Sequence, residues 1–463
     1  MLLASCGKTE ADEHPSAMAG SGGALAGSGG AIATSGGIGG STGAGGRTAL
    51  GGAANALPCT MTARDVAPFC IDANNCALTQ VNEIACRRDA SQLSLALASS
   101  AAWLGFSGEL DSSGTRAFIV GGLGDAGRSL ERVASTEHGR VFSNGETLAG
   151  VAWQGMDAHW LDANAELADP IALPSGTVWD VALGTASRAH FLMAQTIENA
   201  TSFDVVTSDG ELTHVYDGAM RDARLISADP LAVAYAIDAP SVDGGATTRL
   251  FRSEPPAEAQ LIAEIPQQPR FGRLSTAPNG SALAFDLMDS IGGSNPTAAG
   301  LVFVDADGVH DAWRALLKPS SCHGQYTAYN PDICKSDVSY ESLGESSLLG
   351  LHALTTTSDG NVWLARLSGS LETRCSWVSV SGCFETLPCD CRRKRADEFV
   401  FSLALYRAPN FDVPLLTLGA PGRTSAAELA MTSLGTRIAI AVSNRRAYDS
   451  KIFWLELDTA KLP

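Results

Sequence analysis

Between Arg273 and Met288 the chain reads RLSTAPNGSALAFDLM, two apolar-polar alternations separated by one tight turn. Successive side chains on a strand face opposite ways, so Leu283 and Phe285 share one face and Ala282 and Ala284 the other. Asn279-Gly280 supplies the positive φ that a tight hairpin turn needs. The stretch predicts strand, turn, strand. The pattern returns as HALTTTSDGNVWLARL around Gly360, as ELAMTSLGTRIAIAV around Gly435 and, more loosely, as GELDSSGTRAFIV around Gly114. A second unit sets an apolar strand before Asp-Gly, in FDVVTSDGELTHV at Gly210 and LVFVDADGVHDAW at Gly308; HWLDANAEL at His159 is a degraded copy. Two alternating hairpin types suit a four-stranded blade, one joining its inner strands and one its outer strands. They predict an all-β fold, a β-propeller. One or two β-sandwiches with ordinary Asp-Gly hairpins are the alternative.

The rhythm sets blades near 100–143, 146–172, 176–216, 222–263, 270–317, 349–418 and 425–463. That makes seven, with six as the second choice. The last legible strand, Lys451 to Asp458, resembles the third strand of a blade, and no strand of ordinary length fits after it. An open outer edge is what propellers avoid. QLSLALA at Gln92 to Ala98 alternates as a strand should, so the expectation is that it pairs with Ile452 to Leu457 and closes the ring.

APNGSALAF at Ala277 and TSDGNVWLA at Thr357 resemble the repeats of TolB-like, WD40-like β-propellers, over the region from Leu93 onward. The resemblance implies the fold and leaves the activity open, because one fold hosts many functions.

The start of the chain has a different character. Leu3-Ala4-Ser5-Cys6 resembles the lipobox of bacterial lipoproteins, which implies cleavage before Cys6, lipidation of Cys6 and, with Gly7 following, placement at the outer membrane. Residues 1–6 are then the remnant of a signal peptide. From Gly7 to Leu57 the chain is rich in Gly, Ser and Ala and cannot build a core, so 7–57 is expected to be a disordered tether. At about 5–6 Å × √n its root-mean-square reach is roughly 40 Å. Residues 58–90 read as a small disulfide-rich segment. Residues 91–463 read as the propeller, with insertions at 319–336 and 371–397.

Setting Cys6 aside leaves Cys59, Cys70, Cys76, Cys86, Cys322, Cys334, Cys375, Cys383, Cys389 and Cys391, an even set in three local groups. Even, clustered cysteines in an exported chain read as disulfides, with pairing inside each group of four left open. Zinc on Cys375, Cys383, Cys389 and Cys391 is the alternative, but the paired knuckles of a structural zinc site are missing. The net charge of −18 argues against nucleic acid as a partner. Against that acidic background, Arg392, Arg393, Lys394 and Arg395 form a basic run. It reads as a patch for an anionic ligand such as a lipid head group or acidic polysaccharide, or as a solvated loop.

Catalytic signatures are few. Asp305 to Asp311 has acidic residues near a glycine, but the glycine spacing and the missing glutamate fit a hairpin turn rather than a calcium loop. His159, His190, His214, His310, His323 and His352 are scattered without a metal-binding pair. Trp103, Trp153, Trp160, Trp179, Trp363 and Trp454 sit in strand-like runs and are expected to pack between blades. No cofactor is implied. The expected role is a membrane-anchored binding or scaffold module for a protein or glycan partner. The alternative is a polysaccharide hydrolase or lyase that uses the central channel.

Overall fold

The computed structural model describes residues 57, 59–70, 76–124, 127–133, 136–162, 164–184, 188–197, 200–240, 246–265, 274–277, 280–288, 297–317, 325–328, 338–379, 389–424, 426–445 and 450–462. Cys6 and all but Leu57 of the segment expected as a tether lie outside them.

The alternation at 282–285 becomes two opposed packing faces. Leu283 and Phe285 pack with Leu274 and with Ile226 and Leu250 of the preceding sheet. Ala282 and Ala284 pack with Leu354, Leu364 and Tyr406 of the following sheet. A strand buried on both faces must be apolar on both, which is why these strands read as near-continuous apolar runs. Gly280 takes φ +68° in the turn, and a Cβ there would stand 2.4 Å from Ile226 Cγ2, so the turn also needs a glycine for space.

Seven antiparallel sheets form the seven blades of a β-propeller. Their innermost strands are Ala90–Leu97, His138–Ser143, Thr177–Leu183, Asp222–Ala228, Leu274–Thr276, Val338–Thr356 and Ala426–Leu434. Each inner strand adjoins the next, and the last adjoins the first, so the ring is closed around a central channel. Seven apolar clusters fill the spaces between blades. Small residues set the spacing: a Cβ on Gly139 of blade 2 would lie 2.4 Å from the buried Phe118 ring of blade 1.

Blades 3, 4, 5 and 7 fall where the repeats put them. Blade 1 runs 90–132, and His138–Ser143 is the inner strand of blade 2 rather than the end of blade 1. The turn at Gly114 joins the second and third strands of blade 1, not its inner pair.

Ring closure is made by an N-terminal strand, but not by Gln92 to Ala98. Ala90–Leu97 pairs with Ala102–Glu109, with Leu95 opposite Leu104. The closing strand is Leu78–Cys86, which pairs with Ser450–Asp458 and on its other edge with Cys59–Arg64. Segment 58–90 therefore supplies two strands of blade 7. Val81 packs toward blade 6 and Ile84 toward blade 1, so one strand seals two junctions. The strand hides in the sequence because Asn82 and Glu83 break its apolar pattern while being buried. Glu83 pairs with Arg64 at 2.7 Å and Lys451 at 2.8 Å, one on each flanking strand. Asn82 Oδ1 accepts from Arg128 Nε of blade 1 at 2.8 Å. Paired in this way, a buried polar residue is tolerated.

Blade 6 departs from the others. Val338–Thr356, Val362–Ser379 and Cys389–Arg407 have 19, 18 and 19 residues. At a rise of about 3.3 Å per residue each spans about 60 Å, roughly three times an ordinary strand. The described parts of the segment expected as an insertion, 371–379 and 389–397, continue these strands.

Candidate functional site

The polar residues of the seven inner strands meet at the blade junctions. Val141 N–H donates to Ser94 Oγ at 3.3 Å between blades 1 and 2, beside a His138 Nδ1 to Gln92 Oε1 contact of 2.8 Å. Arg140 pairs with Asp180 between blades 2 and 3. Leu225 N–H donates to Asp180 Oδ2 at 2.9 Å, joining blade 4 to blade 3. Leu274 N–H donates to Asp222 Oδ2 at 2.7 Å, and Arg224 Nε to Leu274 O at 3.2 Å, joining blade 5 to blade 4. Ser275 Oγ donates to His352 O at 3.1 Å. Thr355 Oγ1 and Ser433 Oγ are 2.8 Å apart. Glu428 Oε2 accepts from Gln92 N–H and, at 3.3 Å, from Leu93 N–H, joining blade 7 to blade 1. Gln92 sits at φ +59° in a break of the strand register, which aims both N–H groups at that one carboxylate.

Three carboxylates of the described inner strands, Asp180, Asp222 and Glu428, take part in these bonds. Asp180 and Asp222 are buried, each holds a backbone N–H of the next blade, and each adjoins an arginine. Burial opposes the charge of Arg224, but Asp222 and Asp180 outweigh it and hold the guanidinium above its ordinary value. None of this network is visible as a motif, because its partners lie a blade or more apart in sequence, and at the junction of blade 7 with blade 1 they are 336 residues apart.

Two disulfides are present in the first cysteine group. Cys59 bonds to Cys86, its cross-strand partner in the closing sheet, and Cys70 bonds to Cys76. They indicate an extracytoplasmic location. Cys322, Cys334 and Cys383 lie outside the described residues. Cys375, Cys389, Cys391 and the run Arg392 to Arg395 lie on the long blade 6 strands. The register sets Arg392, Arg393, Lys394 and Arg395 opposite Val378, Trp377, Ser376 and Cys375.

Trp103, Trp363 and Trp454 are buried in blade junctions, and Trp153, Trp160 and Trp179 are half-buried against them. His159 contacts Ala168 O at 3.3 Å, His214 contacts Asp204 at 2.9 Å, and buried His352 contacts Ala284 O at 3.2 Å. His323 is outside the described residues. The Asp305 segment is a hairpin turn: Asp305 Oδ1 accepts from Asp307 N–H and contacts His310 Nε2, both at 2.9 Å. An open groove of about 510 Å³ lies beside it, lined by His310, Pro409, Asn410, Phe411 and Asp412. Among the described residues no three metal-ligating side chains converge, and no helix is long and apolar enough to cross a membrane.

No protein-family model matches the chain, and no curated protein is significantly similar to it. Solved structures with a similar course are remote. The WD40 domain from Toxoplasma gondii coronin is 9% identical over 86% of both chains, with a TM-score of 0.40. The Pyrococcus horikoshii acylaminoacyl peptidase is 9% identical over 79% of this chain and 52% of its own, with a TM-score of 0.42. The catalytic domain of Coprinopsis cinerea GH62 alpha-L-arabinofuranosidase is 13% identical over 48% of this chain and 92% of its own, with a TM-score of 0.28. The seven-bladed assignment rests on the sheet topology above, and these neighbours carry no functional argument.

Proposed function

We propose that the protein is a lipid-anchored, extracytoplasmic β-propeller of TolB-like type that acts as a binding or scaffold module for a protein or glycan partner. The observation that carries this reading is the use of the inner-strand polar groups as blade junctions. General acid-base chemistry needs a carboxylate placed to exchange a proton with substrate. Asp180 and Asp222 instead each hold a backbone N–H and adjoin an arginine. A rigid ring with long blade 6 strands suits presentation of a surface. The basic run Arg392 to Arg395 on one of those strands supports an acidic glycan as the ligand class. The lipobox-like Leu3 to Cys6, followed by the glycine-rich segment, supports the anchor at an outer membrane.

The test is titration of the full chain with an acidic polysaccharide, with reducing ends assayed in parallel. Saturable binding without chain cleavage, weakened at least tenfold by replacing Arg392 to Arg395 with Ser, is the expected result. Sustained release of reducing ends that Asp180→Asn or Asp222→Asn abolishes in a folded protein would sink the binding-module reading.

A further inference from the structure

We propose that the face of the ring where the inner strands end is, along its rim on blades 2 to 6, a docking surface for a basic segment of a protein partner. The groove between blades 5 and 6 is its centre. The segment sets an aliphatic side chain beside lysine or arginine.

The first observation is where apolar side chains are exposed. Isolated exposed apolar residues are ordinary. Here six large ones are exposed among the described residues, and five recur at one place in consecutive blades. Leu167, Leu212, Leu261 and Val309 are the first or second residues of the outermost strands of blades 2, 3, 4 and 5. Val413 lies in the turn before the outermost strand of blade 6. All five therefore stand at the turn between the third and fourth strands. Hairpins alternate between the two faces of a propeller, so these turns share a face with those that follow the inner strands. Ser99 N–H donates to Gly145 O and Ser358 N–H to Gly435 O, which joins the inner turns of neighbouring blades on that face. Ser208 N–H donates to Ala189 O at 2.8 Å, which ties the outer turn of blade 3 to its inner one. Met156, the sixth exposed residue, sits in a turn between second and third strands, on the opposite face.

The second observation is a preformed groove on this rim. Phe411 packs on the buried rings of Phe303 and Tyr406, with centroids 4.9 Å and 6.4 Å away. Asp305 pins His310 in the groove wall. Asp412 N–H donates to Asn410 Oδ1 at 3.2 Å and Asn410 N–H to Arg407 O at 3.1 Å, so the turn holds its own shape. A groove of about 510 Å³ takes a few side chains of a partner, and a fixed one loses little freedom on binding. Val309 and Val413 adjoin its lining residues His310 and Asp412 in sequence.

Charge selects the occupant. The outer turns 208–211, 254–259, 306–307 and 408–415 carry exposed Asp209, Glu211, Glu254, Glu258, Asp307 and Asp412, and no lysine or arginine. Arg188 offsets part of Asp209 and Glu211, Arg252 part of Glu254, and Arg407 is exposed beside the last turn. Six carboxylates against three guanidiniums leave a negative rim, which repels an acidic glycan or an anionic membrane and attracts a basic segment. The run Arg392 to Arg395 lies near the other end of its strand from Arg407, away from this rim.

The proposal rests on the reading of the protein as a binding module, but not on the basic run. The experiment is selection from a random peptide library displayed on phage against the immobilised full chain, then fluorescence anisotropy with the enriched peptides. The expected peptides combine an aliphatic residue with lysine or arginine and bind more weakly as salt rises. Their affinity should fall at least tenfold in the double variants Val309→Ser/Val413→Ser and Asp307→Asn/Asp412→Asn. Met156→Ser and the replacement of Arg392 to Arg395 by Ser should leave it unchanged. All four substituted rim positions are exposed, and thermal melts establish that each variant is folded. Acidic polysaccharide binding is measured on the same proteins and should not change in the rim variants. Its absence beside intact peptide binding would refute the glycan reading and support this one. Enrichment of acidic or uncharged peptides, no enrichment over an unrelated protein, or peptides indifferent to both double variants would overturn the proposal. So would a concentration-dependent dimer, or binding to phosphatidylcholine vesicles, that Val309→Ser/Val413→Ser abolishes: the rim would then belong to a second copy or to a membrane.

Discussion

Closing a ring by one hairpin concentrates its vulnerability there. Cys59 and Cys86 are cross-strand partners on the two N-terminal strands of blade 7, 27 residues apart in sequence. In the loop-entropy model a bond closing a loop of that length removes about 12 cal/mol/K from the unfolded chain, about 3.5 kcal/mol at 25 °C. Replacing both cysteines by alanine should therefore raise the unfolded fraction about 400-fold. For roughly 400 residues, at about 2.1 cal/mol/K per residue, that is a fall of about 4 °C in Tm. The Cys70–Cys76 bond closes a loop of only 6 residues. Its removal should cost about 2.2 kcal/mol by the same relation. The assay is denaturant unfolding of both double-alanine variants without reductant, fluorescence and circular dichroism being followed together. If the Cys59/Cys86 variant loses less than the Cys70/Cys76 variant, or under about 1 kcal/mol, the N-terminal hairpin does not hold the ring shut and the reasoning fails.

Other consequences are open to direct measurement. Burial alone would raise the Glu83 carboxyl, but Lys451 and Arg64 outweigh it and hold the group below its ordinary value of 4.5. Its stabilisation is complete above pH 4.5 and fades as pH falls through the lower folded value, because the unfolded chain takes the proton first. Glu83→Gln should cost about 1–2 kcal/mol at pH 7, its partners being half-exposed, and should flatten the acid limb of a stability profile. His190 is depressed from 6.5 by burial, so the unfolded chain again binds the proton first and stability should decline as pH drops below 6.5. His190→Gln should remove part of that slope, which urea midpoints between pH 7.5 and pH 5 would record. Gly139→Ala drives a methyl into the Phe118 ring and should cost about 1–3 kcal/mol, read as a lowered thermal midpoint. Cys6→Ser should move the protein from the membrane fraction to the soluble fraction, and mass analysis of the wild-type N-terminal peptide should find acyl chains on Cys6.

Much of the ring is legible in the amino-acid sequence. Hairpin turns are local, so Gly210, Gly280, Gly308, Gly360 and Gly435 mark inner and outer strand pairs from a few residues each. A short run of alternating positions is enough to mark a strand, and the blade rhythm follows. Periodicity fails in choosing between two N-terminal strands. QLSLALA has the cleaner alternation and so reads as the closing strand. Taking it for closure leaves blade 1 a strand short, which draws the inner strand of blade 2 into blade 1. LTQVNEIAC, with Asn82 and Glu83 at its centre, does not read as a buried strand until Arg64, Lys451 and Arg128 are beside it.

The candidate sites divide in the same way. Cysteine grouping announces disulfides, yet pairing Cys59 with Cys86 requires knowing that the two strands are neighbours. Arg140, Asp180 and Asp222 carry no shared spacing. Hydrophobic period and turn chemistry are written within about ten residues, so the sequence alone determined the hairpins and the blade rhythm, but not where blades 1 and 2 begin. Burial, charge pairing and the meeting of donors depend on which blade stands next to which. They arise only when residues far apart in the sequence are brought within a few ångströms of each other, and that the tertiary structure alone decided.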